Sequence, residues 1–87
     1  MKATDFHMPC YREVLLLGTG AWLEALVAPD RYRLCLYQAG APLVEYWSDG
    51  GAHRRRVHER TVAYDFRSIE QLRYDFERDA GNALHPA

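Results

Sequence analysis

Hydrophobic residues in this chain occur in short runs separated by turn signals, and this pattern predicts β-strands over most of its length. Runs of five to eight apolar and aromatic residues bounded by Gly, Pro, Asp or Ser are typical of strands joined by tight turns. The predicted strands cover residues 13–17, 21–28, 31–38, 43–47 and 57–66. Residues 21–28 also have helical propensity, but a segment this short between two turns favours a strand.

The C-terminal part of the chain changes to a helical period. Ser68 is a good N-cap, and Gln71 three positions later completes a capping box. The apolar residues Ile69, Leu72 and Phe76 recur at helical spacing and mark one buried stripe. Gly81 is placed to end the helix, so the predicted helix covers residues 68–80.

Several strands followed by one helix predict an α+β fold. The expected architecture is an antiparallel β-meander of four to five strands with one C-terminal α-helix packed on one face. The chain of 87 residues is interpreted as a single small domain. Its predicted parts are an extended arm (1–11), the meander (12–66), the helix (68–80) and a tail (81–87).

Alternation along the predicted strands gives more apolar surface than one helix can cover. Tyr37, Val44 and Tyr46, together with Cys35, are expected on the face that should be polar. A helix of eleven residues is only about 16 Å long and covers a single face. Two interpretations stay open. These side chains are half-exposed, or this face or an edge strand is buried against another chain, which predicts a homo-oligomer, for example a dimer.

Composition and charge narrow the class of protein. The chain is 48% hydrophobic and 26% charged, which is typical of a globular domain and not of a disordered one. A net charge of -1 argues against a generally basic nucleic-acid-binding protein. The absence of a signal-like N-terminus, of a membrane-length apolar run and of a disulfide framework predicts a cytoplasmic protein that does not act at a membrane.

Basic residues cluster in the stretch GGAHRRRVHER, residues 50–60. Arginine cannot follow Val62, Tyr64 and Phe66 into a core, so residues 54–60 are expected at one rim of the sheet. Such a rim suits phosphate groups or an acidic protein surface. The third interpretation is a solvated loop whose charges pair with acids of the helix. The candidate partner-binding residues are Arg54, Arg55, Arg56 and Arg60 on the basic rim, and Tyr37, Val44 and Tyr46 on the apolar second face.

Catalytic and metal-binding patterns are weak. His7-x-x-Cys10 and His53-x4-His58 have spacings that zinc ligands use, but such spacings often occur by chance. Cys35 lies in the middle of a predicted strand and is expected to be buried and inert. The Gly-Thr-Gly sequence at residues 18–20 lacks the third glycine and the helix of a nucleotide-binding loop. We expect no enzyme, no cofactor and no metal.

Residues 65–76, DFRSIEQLRYDF, resemble the strand-to-capped-helix ending of many small bacterial and phage proteins, among them a type I-F anti-CRISPR inhibitor. The resemblance covers only this segment, and it implies inhibition of a macromolecular complex as one option, beside an immunity-like role. The chain is predicted to be a small non-enzymatic protein-binding module that acts by self-association or by inhibiting a partner protein. The alternative is a nucleic-acid-binding accessory protein that uses the basic rim.

Overall fold

The protein is an antiparallel β-meander in which the order of strands in the sheet is their order along the chain. The computed structural model describes residues 11–18 and 20–84. Each strand pairs with the next, so the first and last strands form the two edges. The predicted α+β fold is confirmed, with six strands instead of four or five. The elements are β1 (Tyr11–Gly18), β2 (Ala21–Ala28), β3 (Arg31–Gln38), β4 (Ala41–Asp49), β5 (Ala52–Val57), β6 (Arg60–Ala63) and the helix α1 (Ile69–Leu84).

Two-residue turns join the middle strands and fix their register. Ala39 and Gly40, between β3 and β4, have φ values of 54° and 80°. Gly50 and Gly51, between β4 and β5, have φ values of 58° and 94°. Two successive positive φ values are the type I′ geometry, whose twist matches that of the paired strands. Glycine adopts positive φ without steric cost, so Ala39 is the one strained position of these four.

The predicted last strand over residues 57–66 is wrong, because the chain reverses inside it. β5 ends at Val57 and pairs with β6, which starts at Arg60. His58 takes a positive φ of 59° at the turn between them. No Gly, Pro, Asn or Asp marks this turn. The reversal makes β5 a central strand between β4 and β6, so its arginines do not lie at a rim.

The helix begins where the sequence predicts and ends later. The Ser68 hydroxyl accepts a hydrogen bond from the Gln71 backbone N–H at 3.0 Å, as an N-cap does. Gly81 lies within α1, which continues to Leu84. Ala83 and Leu84 still pack against the core, and this packing outweighs the cost of about 1 kcal/mol for a helical glycine.

The predicted end segments are described only in part. Residue 11 of the predicted arm belongs to β1, and residues 81–84 of the predicted tail belong to α1. The other residues of both segments, 1–10 and 85–87, lie outside the described part of the chain.

The core lies between α1 and one face of the sheet, which we call the helix-covered face. Across β3 and β4, Leu36 pairs with Val44 and Leu34 with Tyr46, so all four point to this face. Burying a side chain of this size contributes about 1.5–3 kcal/mol. The opposite side of the sheet is called the open face. The buried core residues are Tyr32, Leu34, Leu36, Val44, Tyr46, Leu72, Phe76 and Ala80.

Candidate binding surfaces

Exposed apolar side chains concentrate on and beside the edge strand β1. Every residue of β1 is exposed, and Leu16 is 79% exposed. Among the described residues, eight large hydrophobic side chains are exposed, and five of them belong to β1. Leu26 lies on the adjacent β2 and Ile69 near the start of α1, so only Tyr74 lies elsewhere. Within the described residues β1 pairs only with β2, which makes it an edge strand to which a further strand can be added.

An apolar groove of about 390 Å³ adjoins β1 on the helix-covered face. α1 lies closest to β4, so above β1 and β2 it leaves Leu15 exposed and Leu23 and Val27 only partly buried, and all three line the groove. Arg73 and Glu77 of α1 also line the groove and pair with each other at 3.6 Å. The groove and the β1 edge therefore form one continuous apolar surface.

A polar network fastens α1 to the sheet. The buried Tyr46 hydroxyl donates a hydrogen bond to the Asp79 carboxylate. Arg55 donates to the Tyr46 oxygen at 3.2 Å and to Asp79 at 3.3 Å. Tyr64 donates to Asp75 at 2.6 Å. The interpretation that acids of the helix pair with arginines of the same chain is confirmed for Asp79.

Burial and hydrogen bonding shift the acidity of this network. Burial and the neighbouring Asp79 carboxylate raise the pKa of Tyr46 to about 12. The hydrogen bond from Tyr64 lowers the pKa of Asp75. At neutral pH Tyr46 and Tyr64 are therefore protonated and Asp75 is ionised, the state in which each hydroxyl can donate.

The open face carries both tryptophans of the chain and an excess of arginine. Trp22 stacks on Tyr37, with ring centroids 5.0 Å apart and an interplanar angle of 18°. Trp47 lies between two arginines of the neighbouring strands. Among the residues whose side chains the structure describes, the strand register places five arginines and two glutamates on this face, in a chain whose net charge is -1. They are Arg12, Arg31, Arg33, Arg54, Arg56, Glu24 and Glu45.

Glu45 organises the centre of the open face. Arg33 donates to one of its carboxylate oxygens at 2.6 Å and Arg56 to the other at 2.7 Å. Burial acts to raise the pKa of Glu45, but the hydrogen bonds from the two arginines outweigh it and lower that pKa. The fully buried Cys35 pairs with Glu45 in the register, and burial raises the pKa of its thiol. The prediction that Cys35 is buried is confirmed.

The four arginines predicted to form one basic rim are divided between the two faces. Arg54 and Arg56 lie on the open face, while Arg55 points under α1 to Asp79. Arg60 is exposed at the start of the edge strand β6. The prediction of a single rim is wrong because Arg54, Arg55 and Arg56 alternate between the faces of the central strand β5, and the unpredicted turn after β5 places Arg60 on a separate strand. Partner binding by any of them stays a prediction.

The predicted grouping of Tyr37, Val44 and Tyr46 on one apolar face is also wrong. Val44 and Tyr46 are fully buried on the helix-covered face, and Tyr37 lies on the open face. The register between β3 and β4 follows from the turn that joins them, which alternation within each strand does not reveal. Only Tyr37 remains a candidate for a partner-binding surface.

The spacings that resemble metal ligands do not form a site within the described chain. The His53 ring stacks on Phe66 with centroids 4.8 Å apart, and its Nδ1 lies 3.0 Å from the Tyr32 hydroxyl. His58 occupies the turn between β5 and β6. The described residues contain no group of three or more His, Cys, Asp or Glu side chains that could hold a metal ion. His7 and Cys10 lie outside the described residues.

Sequence reasoning did not select Leu16 or Trp22. Residues 14–17 have the composition of a buried strand, and only the position of β1 at the sheet edge exposes them. The sequence does contain information about the tryptophans. Once two-residue turns set the register, both tryptophans fall on the same face of the sheet, the face that lacks α1. Placing every aromatic residue on its strand face would have found them.

Comparison of the chain with protein-family models, with curated proteins and with solved structures gives no match. Within the described residues, no helix has the length and apolar character needed to cross a membrane. Function is therefore inferred from the two surfaces, the β1 edge with its groove and the open face.

Proposed function

We propose that this protein is a non-enzymatic protein-binding module that pairs its β1 edge with β1 of a second copy. The observation that carries this proposal is the concentration of exposed apolar side chains on β1. Proteins protect free sheet edges with short strands, charges or bulges. The opposite edge strand, β6, fits that rule with four residues that begin with an arginine. β1 has eight residues, and its apolar centre at residues 14–16 precedes the register shift between Leu16 and Gly18, which favours strand addition at that centre.

Two-fold symmetry restricts how two β1 strands can pair. In an antiparallel pair about an axis normal to the sheet, one residue lies opposite its own copy. An axis at Arg12 or Glu13 would place like charges opposite each other, which is destabilising. An axis at Leu15 places Val14 opposite Leu16 of the second copy, so apolar side chains meet on both faces. This register keeps both copies of α1 on the same side of the sheet, and it brings the two apolar grooves next to each other.

The mass in solution tests the proposal. We expect the wild-type protein to scatter light as a species of about twice 10.1 kDa. Leu16→Lys places a charge in the paired centre and should give the monomer mass, because an exposed substitution changes monomer stability by only about 0.5 kcal/mol. Thr61→Lys adds the same charge to the β6 edge and should leave the dimer intact. A monomeric wild-type protein, or a Leu16→Lys variant as dimeric as wild type, would refute the proposal.

Disulfide trapping tests the register. In a Cys10→Ser background, Leu15→Cys should form a disulfide-linked dimer under mild oxidation, because the two copies of residue 15 lie opposite each other. Val14→Cys is the matched control, since its two copies lie diagonally at about 7–8 Å, beyond the usual range for a disulfide. Trapping by Val14→Cys and not by Leu15→Cys would contradict an axis at Leu15.

A further inference from the structure

The open face is suited to a second binding activity that does not depend on pairing of the β1 edge. We propose that it binds single-stranded nucleic acid, with bases stacking on an aromatic platform of Trp22, Tyr37 and Trp47 and phosphates contacting the arginines around it. Single-strand binders combine stacking side chains with a basic surface that follows the backbone.

The aromatic platform spans three strands. Trp22 and Tyr37 are cross-strand partners on β2 and β3, and Trp47 on β4 is the partner of Arg33. Four residues along β3 and one strand spacing separate Tyr37 from Trp47, which gives about 14 Å between their backbones. A strand that contacts both ends therefore crosses the sheet diagonally. All three rings are partly exposed, so each can contact a base.

Arginines at the edges of the platform are available to phosphate. Arg54 is the cross-strand partner of Trp47 and is exposed, and within the described residues it has no ion-pair partner. Arg31 is 72% exposed, and its one ion pair in the described part of the chain is with the adjacent Asp30, at 3.6 Å. The guanidinium group binds phosphate with two parallel hydrogen bonds. These two arginines can therefore bind phosphate without breaking a contact that holds the fold.

Charge and ring chemistry together favour nucleic acid over an acidic protein. Glu45 fixes Arg33 and Arg56 at the centre and neutralises one of their two charges, so the face keeps a positive excess that complements a phosphate backbone. An acidic peptide would use the arginines alone. Half-exposed rings between them add stacking sites, which bases occupy irrespective of sequence.

Tryptophan fluorescence reports directly on this face, because Trp22 and Trp47 are the only tryptophans of the chain. We expect oligothymidylate to quench this fluorescence at low salt. The logarithm of the affinity should fall linearly with that of the salt concentration, with a slope of about -0.7 for each phosphate contact. An absence of quenching, and of any anisotropy change of the labelled oligonucleotide at low salt, would overturn the proposal.

Matched charge reversals locate the phosphate contacts. Arg31→Glu combined with Arg54→Glu should weaken binding and make the salt slope shallower by about 1.4. Arg67→Glu combined with Arg73→Glu makes the same change of net charge at exposed positions away from the open face, and it should leave the slope unchanged. An equal loss in both double variants would mean that net charge alone drives binding, and the open face would not be the site.

Stacking has its own test. Trp47→Ala should weaken binding of the labelled oligonucleotide by about 5- to 150-fold, while Trp47→Phe keeps a stacking ring and should restore most of the affinity. Thermal unfolding of both variants separates lost binding from lost folding. Inorganic polyphosphate carries the charges without the bases, so it should compete poorly at equal phosphate concentration. Equal competition, or a Trp47→Ala variant that binds as wild type, contradicts the platform.

Discussion

Tyr46→Phe removes a single oxygen from the network that fastens α1 to the sheet, and we expect it to destabilise the fold markedly. The Tyr46 ring is fully buried, and its hydroxyl connects the Asp79 carboxylate with the Arg55 guanidinium. Phenylalanine keeps the ring and its contact with Phe76, with centroids 5.7 Å apart. The change therefore isolates the hydrogen bonds from the packing.

The expected loss follows from the charge of both partners. A hydrogen bond to a charged group contributes about 1.5–3 kcal/mol, and the remaining Arg55–Asp79 contact, at 3.3 Å, retains part of the network. We expect the free energy of unfolding to fall by about 2 kcal/mol. In a domain of this size, that loss lowers the melting temperature by roughly 8–16 °C.

Urea denaturation followed by circular dichroism measures the change. Tyr74→Phe is the matched control, because Tyr74 is 62% exposed on α1, and its loss should stay within about 0.5 kcal/mol of wild type. An unchanged m-value would show that the denatured state is comparable. A Tyr46→Phe variant within about 0.5 kcal/mol of wild type would refute the structural role of the hydroxyl. So would strict additivity with Asp79→Asn in a double-mutant cycle, since groups in one network should couple.

Other perturbations test the turns, the helix cap and the charge network. Ser68→Ala removes the N-cap acceptor of α1 and should cost about 1 kcal/mol, measured by urea denaturation. Ala39→Asn should stabilise the fold by about 0.5–1 kcal/mol, because asparagine tolerates the positive φ of this turn better than alanine does; a lower melting temperature would contradict this. The pKa values of Asp75 and Glu45 are lowered in the folded state, so the stability they contribute is present above about pH 4 and is lost as the pH falls through those values. The pKa of Tyr46 is raised from 10.0 to about 12, so its contribution is complete below about pH 10 and is lost as the pH rises through the folded value; urea midpoints across the pH range measure both effects.

The sequence predicts the fold class because each early turn has a local chemical cause. Gly18, Pro29, Gly40 and the Gly50–Gly51 pair separate the strands, and each falls at or beside a turn of the structure. The turn between β5 and β6 has a weaker local cause, because it contains no Gly or Pro and its positive φ falls on His58, a residue type that adopts positive φ more often than most but less readily than glycine. The His58 backbone N–H donates a hydrogen bond to the Leu43 carbonyl of β4 at 2.7 Å, a long-range contact that sequence patterns over a few residues do not indicate.

The binding surfaces are less predictable because they depend on register and on sheet order. Alternation in a strand gives two sets of side chains, but not which set faces the helix. The wrong choice of face therefore predicts Val44 and Tyr46 on a surface, although both are buried in the core. The exposure of Leu16 could not be predicted for a different reason, because nothing in the sequence of β1 indicates that it is an edge strand. Composition predicts the basic cluster, and alternation along β5 divides Arg54, Arg55 and Arg56 between the two faces. Only the position of Arg60 on a separate strand depends on the turn after β5.

The order of strands in the sheet has a consequence for how the protein is made. Every strand pairing closes a short loop between sequence neighbours, so the loop-closure entropy is small and hairpins can form one after another during synthesis. α1 follows the six described strands along the chain, so the helix-covered face has no partner until α1 has left the ribosome. In that interval the nascent sheet exposes Leu34, Leu36, Val44 and Tyr46 beside the unprotected β1 edge. The protein is therefore most prone to aggregate just before α1 docks, and a pause in translation ahead of α1 would lengthen that exposure.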